Sequence, residues 1–192
     1  MPASVAVRVL GTGPAVMLVH GAVGPGPTWK AQEPLAARWR LVIVSRRGFR
    51  PSPAAARQNF AVDAADLEKL LTREPAHCVG FGFGAAGVAL AAGRSPGLFR
   101  SITLIEPPAT LVEESEADPP AAPDLPAVAA AGLPALVASG GYDPEVEAVC
   151  DAWATAMKAA RECLPGAEHA VQRTSPFNGR LERFLFAAES KH

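Results

Sequence analysis

Six short apolar runs punctuate the chain, at residues 5–10, 15–20, 41–45, 77–81, 101–105 and 134–138. Most are continuous rather than alternating, which predicts strands buried on both faces. Between them lie longer stretches with apolar residues at helical spacing: 29–38, 61–73, 84–93, 144–161 and 179–188. In the second of these, Val62, Leu67, Leu70 and Leu71 fall close to one helical face. Strands alternating with helices predict an α/β fold, a mostly parallel central sheet with helices on both faces.

A length of 192 residues, 49% of them hydrophobic, is enough for one domain over 1–192 with a sizeable core. The stretch 109–133 departs from the pattern. Its proline, alanine and acid predict a loop or short excursion, because its prolines bar a long helix.

Charge changes the picture by exclusion. With 18 basic and 19 acidic residues, a net charge of -1 and no basic run, the chain lacks the footprint of a nucleic-acid or anionic-membrane binder. A neutral small molecule is the expected partner. No run approaches the roughly 18 to 20 apolar residues of a membrane span, and MPASVAVRVLGTG lacks the order of a secretory signal, so a cytoplasmic protein is expected. Cys78, Cys150 and Cys163 show no C-x-x-C spacing and are odd in number. Buried thiols are expected, with neither a disulfide framework nor a metal site.

The stretch VGFGFGAAG, 79–87, carries two patterns at once. From Gly82 to Gly87 it is a G-x-G-x-x-G that follows a strand and opens a helix, with Glu106 placed 24 residues beyond Gly82 (106 − 82) where an acid would hold a ribose. From Gly80 to Gly84 it is a G-x-S-x-G nucleophile elbow with glycine in the serine's place. Three predicted strands precede it, whereas a dinucleotide fingerprint usually opens its domain.

Four ordered pieces carry a resemblance that favours the elbow: AVMLVHG (15–21), LVIVSRRGF (41–49), the run from His77 to Pro108, and LPALVASGGYD (133–143) with LPGAEH (164–169). Together they resemble the α/β-hydrolase fold family, in a short form with a reduced cap and lacking a first strand. Ser45 stands where the family usually has aspartate. The resemblance implies Gly82 at the nucleophile position, Asp143 as the acid and His169 as the base, in the family's chain order. It also implies an oxyanion hole from the amides of Ala22 and Phe83, and no cofactor. His20, Gly21, Trp29, Phe81 and Glu106 are pocket candidates, with His20 expected to fix the turn after its strand. Arg46 and Arg47 are read as turn and surface charges, and Ser139 as a poor substitute nucleophile.

The expected function follows from those parts. Without a serine, a His169–Asp143 pair would act as general base on water or directly on a small ester, lactone or carbonyl compound. The alternatives are a non-catalytic binder of a ligand or partner, a dinucleotide-binding protein, and a serine hydrolase engineered to glycine. A neighbouring subunit closing the site, in a homo-oligomer, is also compatible with a reduced cap.

Overall fold

The computed structural model describes residues 5–109 and 122–191. Within them one sheet runs in the order β1-β3-β2-β4-β5-β6-β7. Its strands are β1 (Val7–Leu10), β2 (Ala15–Val19), β3 (Arg40–Val44), β4 (Ala76–Phe81), β5 (Phe99–Ile105), β6 (Ala135–Ser139) and β7 (Ala160–Cys163). β1 is antiparallel to β3 and every other pairing is parallel. The chain leaves β2 toward one edge and returns at β4 on its other side. The crevice beyond the carboxyl ends of β2 and β4 is therefore the place where such a sheet takes a ligand.

The unbroken apolar runs have a direct cause. Val16, Leu18, Val79 and Phe81 point into a core with Trp29, Trp39, Phe177 and Leu181. Their strand neighbours Met17, Val19 and Cys78 point into the opposite core with Phe60, Leu67 and Val88. The helices are α1 (Pro25–Trp29), followed by a 3₁₀ helix (Lys30–Ala37), then α2 (Phe60–Leu71), α3 (Phe83–Arg94), α4 (Leu125–Ala130), α5 (Pro144–Met157) and α6 (Ser175–Glu189). Among the described residues no helix is long and apolar enough to cross a membrane.

Four elements differ from expectation. The helix predicted over 29–38 is a 3₁₀ helix with Pro34 inside it, where the missing amide removes an α-helical bond. The helix predicted over 144–161 stops at Met157: Lys158 turns left-handed at φ 54° and the chain re-enters the sheet as β7. β7 escapes the pattern because Ala-Arg-Glu-Cys on an edge is partly exposed and not apolar. Within 109–133, residues 125–130 form α4, started by Asp124, whose carboxylate accepts from the Ala127 amide. Residues 110–121 of that segment lie outside the described residues.

α3 lies almost against the sheet. A Cβ on Gly84 would sit 2.2 Å from the Val19 carbonyl oxygen, and one on Gly80 would sit 2.6 Å from the Ala85 Cα. Glycine at both places is what this approach requires, so the outer glycines of the elbow pattern have a packing cause.

Candidate active site

Five strand ends, those of β2, β4, β5, β6 and β7, converge on one hollow. After β4 the chain reverses into α3 through Gly82, at φ 53° and ψ −119°. This is a sharp strand-to-helix turn in a region of backbone space that favours glycine. The Gly82 amide donates to the Ile105 carbonyl, and its own carbonyl accepts from the Ala85 amide, so the turn is fastened on both sides. A cavity of about 280 Å³ opens over it, lined by Gly21, Ala22, Phe81, Gly82, Phe83, Glu106, Tyr142, Val146 and His169 among others. The Phe83 amide, at the first position of α3, has no intrahelical carbonyl to reach, and a helix N-terminus suits an anion.

His169 stands on the rim in the loop after β7. Its Nδ1 is 2.8 Å from Glu106 Oε2, and its side chain is 63% exposed. The carboxylate beside the imidazole is thus Glu106, at the end of β5. Asp143, expected as the acid, caps a helix. Its Oδ1 accepts from the Glu145 amide as the N-cap of α5, with Pro144 opening the helix. Extended backbone at φ −134° turns that side chain toward its own helix.

Glu106 is built into its place. It adopts φ 45°, a costly conformation for a residue with a side chain. The side chain is turned under the histidine loop, where Oε2 also accepts from the Ala170 amide at 3.1 Å. Among the described residues its buried Oε1 has no hydrogen-bond partner. Burial pushes the carboxyl above its ordinary range, opposed by the Ala170 amide and by His169. The loop has its own constraint: a Cβ on Gly140 would meet the Glu168 carbonyl oxygen at 2.1 Å, so only glycine lets the two loops close.

Below the other wall lies a polar clamp. His20 is fully buried, its Nε2 accepting from the Arg46 amide and its Nδ1 donating to the Gly21 carbonyl. Arg46 is buried too, donating to Gly21 O at 2.9 Å and His20 O at 3.3 Å, and pairing with Asp63 at 2.8 Å. Gln58 also accepts from its guanidinium. Arg46 is therefore no surface charge; it holds the turn that presents Gly21 and Ala22. Arg47, in contrast, pairs with Asp66 beside α2. Trp29 and His20 pack beneath the site instead of lining it.

Cys163, expected as a buried thiol, is exposed at the edge strand β7, whereas Ser139 and Cys78 are sealed off. Ser139 is fully buried and donates to Glu147. Cys78 is buried in the sheet, where desolvation drives its thiol far above its ordinary range. A second array, Ser101 Oγ 2.7 Å from His77 Nδ1 and His77 Nε2 2.9 Å from Glu189, has a triad's composition. Its serine and histidine are fully buried and are paired in register at the start of β4 and β5, roughly 16 Å from the strand ends that carry the cavity. Among the described residues there is no group of three or more His, Cys, Asp or Glu placed to hold a metal ion.

Known proteins agree on the scaffold. A family model described as alpha/beta hydrolase fold matches residues 14–131. No curated protein sequence matches the chain. Among solved structures, a carboxylesterase of the thaumarchaeon Nitrososphaera gargenis superposes with a TM-score of 0.82 at 13% identity, covering 98% of this chain and 96% of that one. A thermophilic esterase from Thermogutta terrifontis gives 0.80 at 18% identity, covering 96% and 93%. Est816, described as an N-acyl homoserine lactone degrading enzyme, gives 0.80 at 16% identity, covering 94% and 96%.

Proposed function

Because the chain belongs to the α/β-hydrolase fold family, we propose that it is a hydrolase working without a serine, in which His169 activates water against a small neutral ester or lactone. One observation carries this reading. His169 sits with Nδ1 against the buried Glu106 carboxylate, beside a cavity over a strand-to-helix turn that bears no side chain.

A hydrogen on Nδ1 facing Glu106 leaves Nε2 as the base. Nε2 takes a proton from water as the water oxygen attacks the carbonyl carbon. The negative charge that develops on the carbonyl oxygen is met by the amides of Ala22 and Phe83. As the tetrahedral adduct collapses, the C–O bond breaks and the departing oxygen takes the proton back from the imidazolium. Glu106 stabilises that imidazolium and holds the ring in one tautomer. Gly82 supplies room for the water where a serine hydroxyl would project. The activities described for two structural neighbours, esterase and lactone degradation, fit the same bond type.

The test is turnover of activated esters and small lactones by the purified protein beside two variants. His169→Ala is expected to abolish it and Glu106→Gln to lower it by about a hundredfold. Turnover unchanged in His169→Ala sinks the mechanism. The openness of His169 and the bare turn also suit a second reading, a family member that binds a small ligand without chemistry. Binding of the ester with no turnover in any variant would favour it.

A further inference from the structure

The loop after β6 brings a third group to His169. Tyr142 Oη is 3.1 Å from Nδ1, the same nitrogen that faces Glu106 Oε2 at 2.8 Å. Two oxygens thus compete for one ring position. The proton count settles which of them gives a hydrogen. If Glu106 is ionised, Nδ1 must carry the hydrogen, since a bare nitrogen lone pair against a carboxylate oxygen at that distance is repulsive. Tyr142 then can only accept. If Glu106 is protonated, its own O–H fills the Nδ1 lone pair, and the phenol is again turned away. In both states the Tyr142 hydrogen has no place on the histidine.

Tyr142 lines the cavity wall together with Gly82, Phe83 and Val146 and is 41% exposed, so its phenolic hydrogen is free for a ligand or solvent. The ring edge packs on His169, with centroids 5.7 Å apart. Burial, with Glu106 and Asp143 nearby, pushes the phenol up to about 12, so the hydrogen stays in place at neutral pH. The wall restricts what can use it. Among the described residues lining the cavity there is no lysine or arginine, and the buried Glu106 carboxylate opposes a second negative charge there.

We propose that Tyr142 is a ligand-binding residue, donating its phenolic hydrogen to an oxygen of a bound uncharged carbonyl compound such as a lactone or ester. This rests on the hydrolase reading for the identity of the site, but it is a statement about binding. Tyr142 selects for an oxygen acceptor without charge, and it does so beside the group that performs the proposed proton transfer.

The chain contains one tyrosine, so protein labelled with ¹³C at tyrosine Cζ gives a single resonance. Titration with γ-butyrolactone is expected to move that line saturably. In Tyr142→Phe, which keeps the ring contact, the half-saturating concentration read by tryptophan fluorescence should rise about three- to tenfold, the worth of one neutral hydrogen bond. The His169 ring resonances should stay where they are in the unliganded variant, whereas a purely structural role would move them. An unmoved Cζ line, no lactone binding at any concentration the protein tolerates, or equal affinity in Tyr142→Phe overturns the proposal. Lactone bound through Tyr142 but never hydrolysed keeps it and removes the hydrolytic reading. Lactone hydrolysed with no dependence on Tyr142 does the reverse.

Discussion

At the scale of single residues, Gly82 and Asp143 make opposite demands. A Cβ at Gly82 would find its nearest neighbour, the Gly21 Cα, 3.9 Å away, so a side chain has space there. The conformation at φ 53° nevertheless costs a non-glycine residue about 1–3 kcal/mol. Gly82→Ser is therefore expected to unfold at lower denaturant by that amount while gaining covalent labelling by a fluorophosphonate and faster ester turnover. A folded variant that takes no label would mean that His169 Nε2 does not reach the turn. Asp143→Ala should lose about 1 kcal/mol, the usual worth of an N-cap, with turnover within about twofold of wild type. A hundredfold loss of turnover would return Asp143 to the catalytic pair.

Among the elements, the turn after β2 depends on a buried clamp whose members come from three places in the chain. His20 is held down to about 4 by burial, helped by the Arg46 charge, against an ordinary 6.5, with the Gly21 carbonyl pulling the other way. Below 6.5 the unfolded chain takes the proton and the folded one resists. His20 thus contributes stability that is complete above about 6.5 and is lost as pH falls toward 4, about 3 kcal/mol in all. Asp63 runs the opposite way, since burial raises its carboxyl. The difference between wild type and His20→Gln isolates the histidine. The gap between their unfolding free energies should narrow by up to about 3 kcal/mol between pH 6.5 and 4, and a constant gap would refute the assignment. Asp63→Asn, leaving Arg46 buried without its carboxylate, should cost about 3–5 kcal/mol by denaturant melting. The sequence made the sheet legible because strands covered on both faces leave unbroken apolar runs, as 15–19 and 76–81 do. It hid β7, whose four residues on an edge are partly exposed. It also made the turn at Gly82 and the placing of His169 beside the cavity legible through spacing, and it named Glu106 as a pocket candidate without pairing it to the histidine. Glu106 directly follows β5 at a positive φ that turns it under the loop, whereas Asp143 lies four residues beyond β6 with extended backbone at the start of α5. Arg46 was opaque for a related reason: an arginine in a turn is normally solvated, and its burial depends on Asp63, 17 residues away.

For the whole molecule, the site is a product of the sheet's long-range order. Gly21, Gly82, Glu106 and His169 follow β2, β4, β5 and β7, so no contiguous segment contains it. Charge is balanced at the same scale, with a net of -1 over 192 residues. Among the described residues that line the cavity, the ionisable side chains are Glu106, Tyr142 and His169. Nothing in this arrangement steers a charged ligand from a distance, and exposed charges further than a Debye length are screened in any case. The expected consequence is that kcat/KM for a neutral ester changes by less than about twofold as ionic strength rises from about 0.01 M to about 1 M, a range over which the Debye length shrinks from about 30 to about 3 Å. An ester of the same size carrying a carboxylate should be poorer at low salt and recover as salt screens Glu106, whose side chain is 2% exposed and therefore only partly reachable by counterions. Stopped-flow or steady-state assays of the two esters across that range provide the measurement. A rate for the neutral ester that falls steeply with salt would mean that a charged surface outside the cavity guides the substrate, and the cavity would no longer suffice to explain recognition.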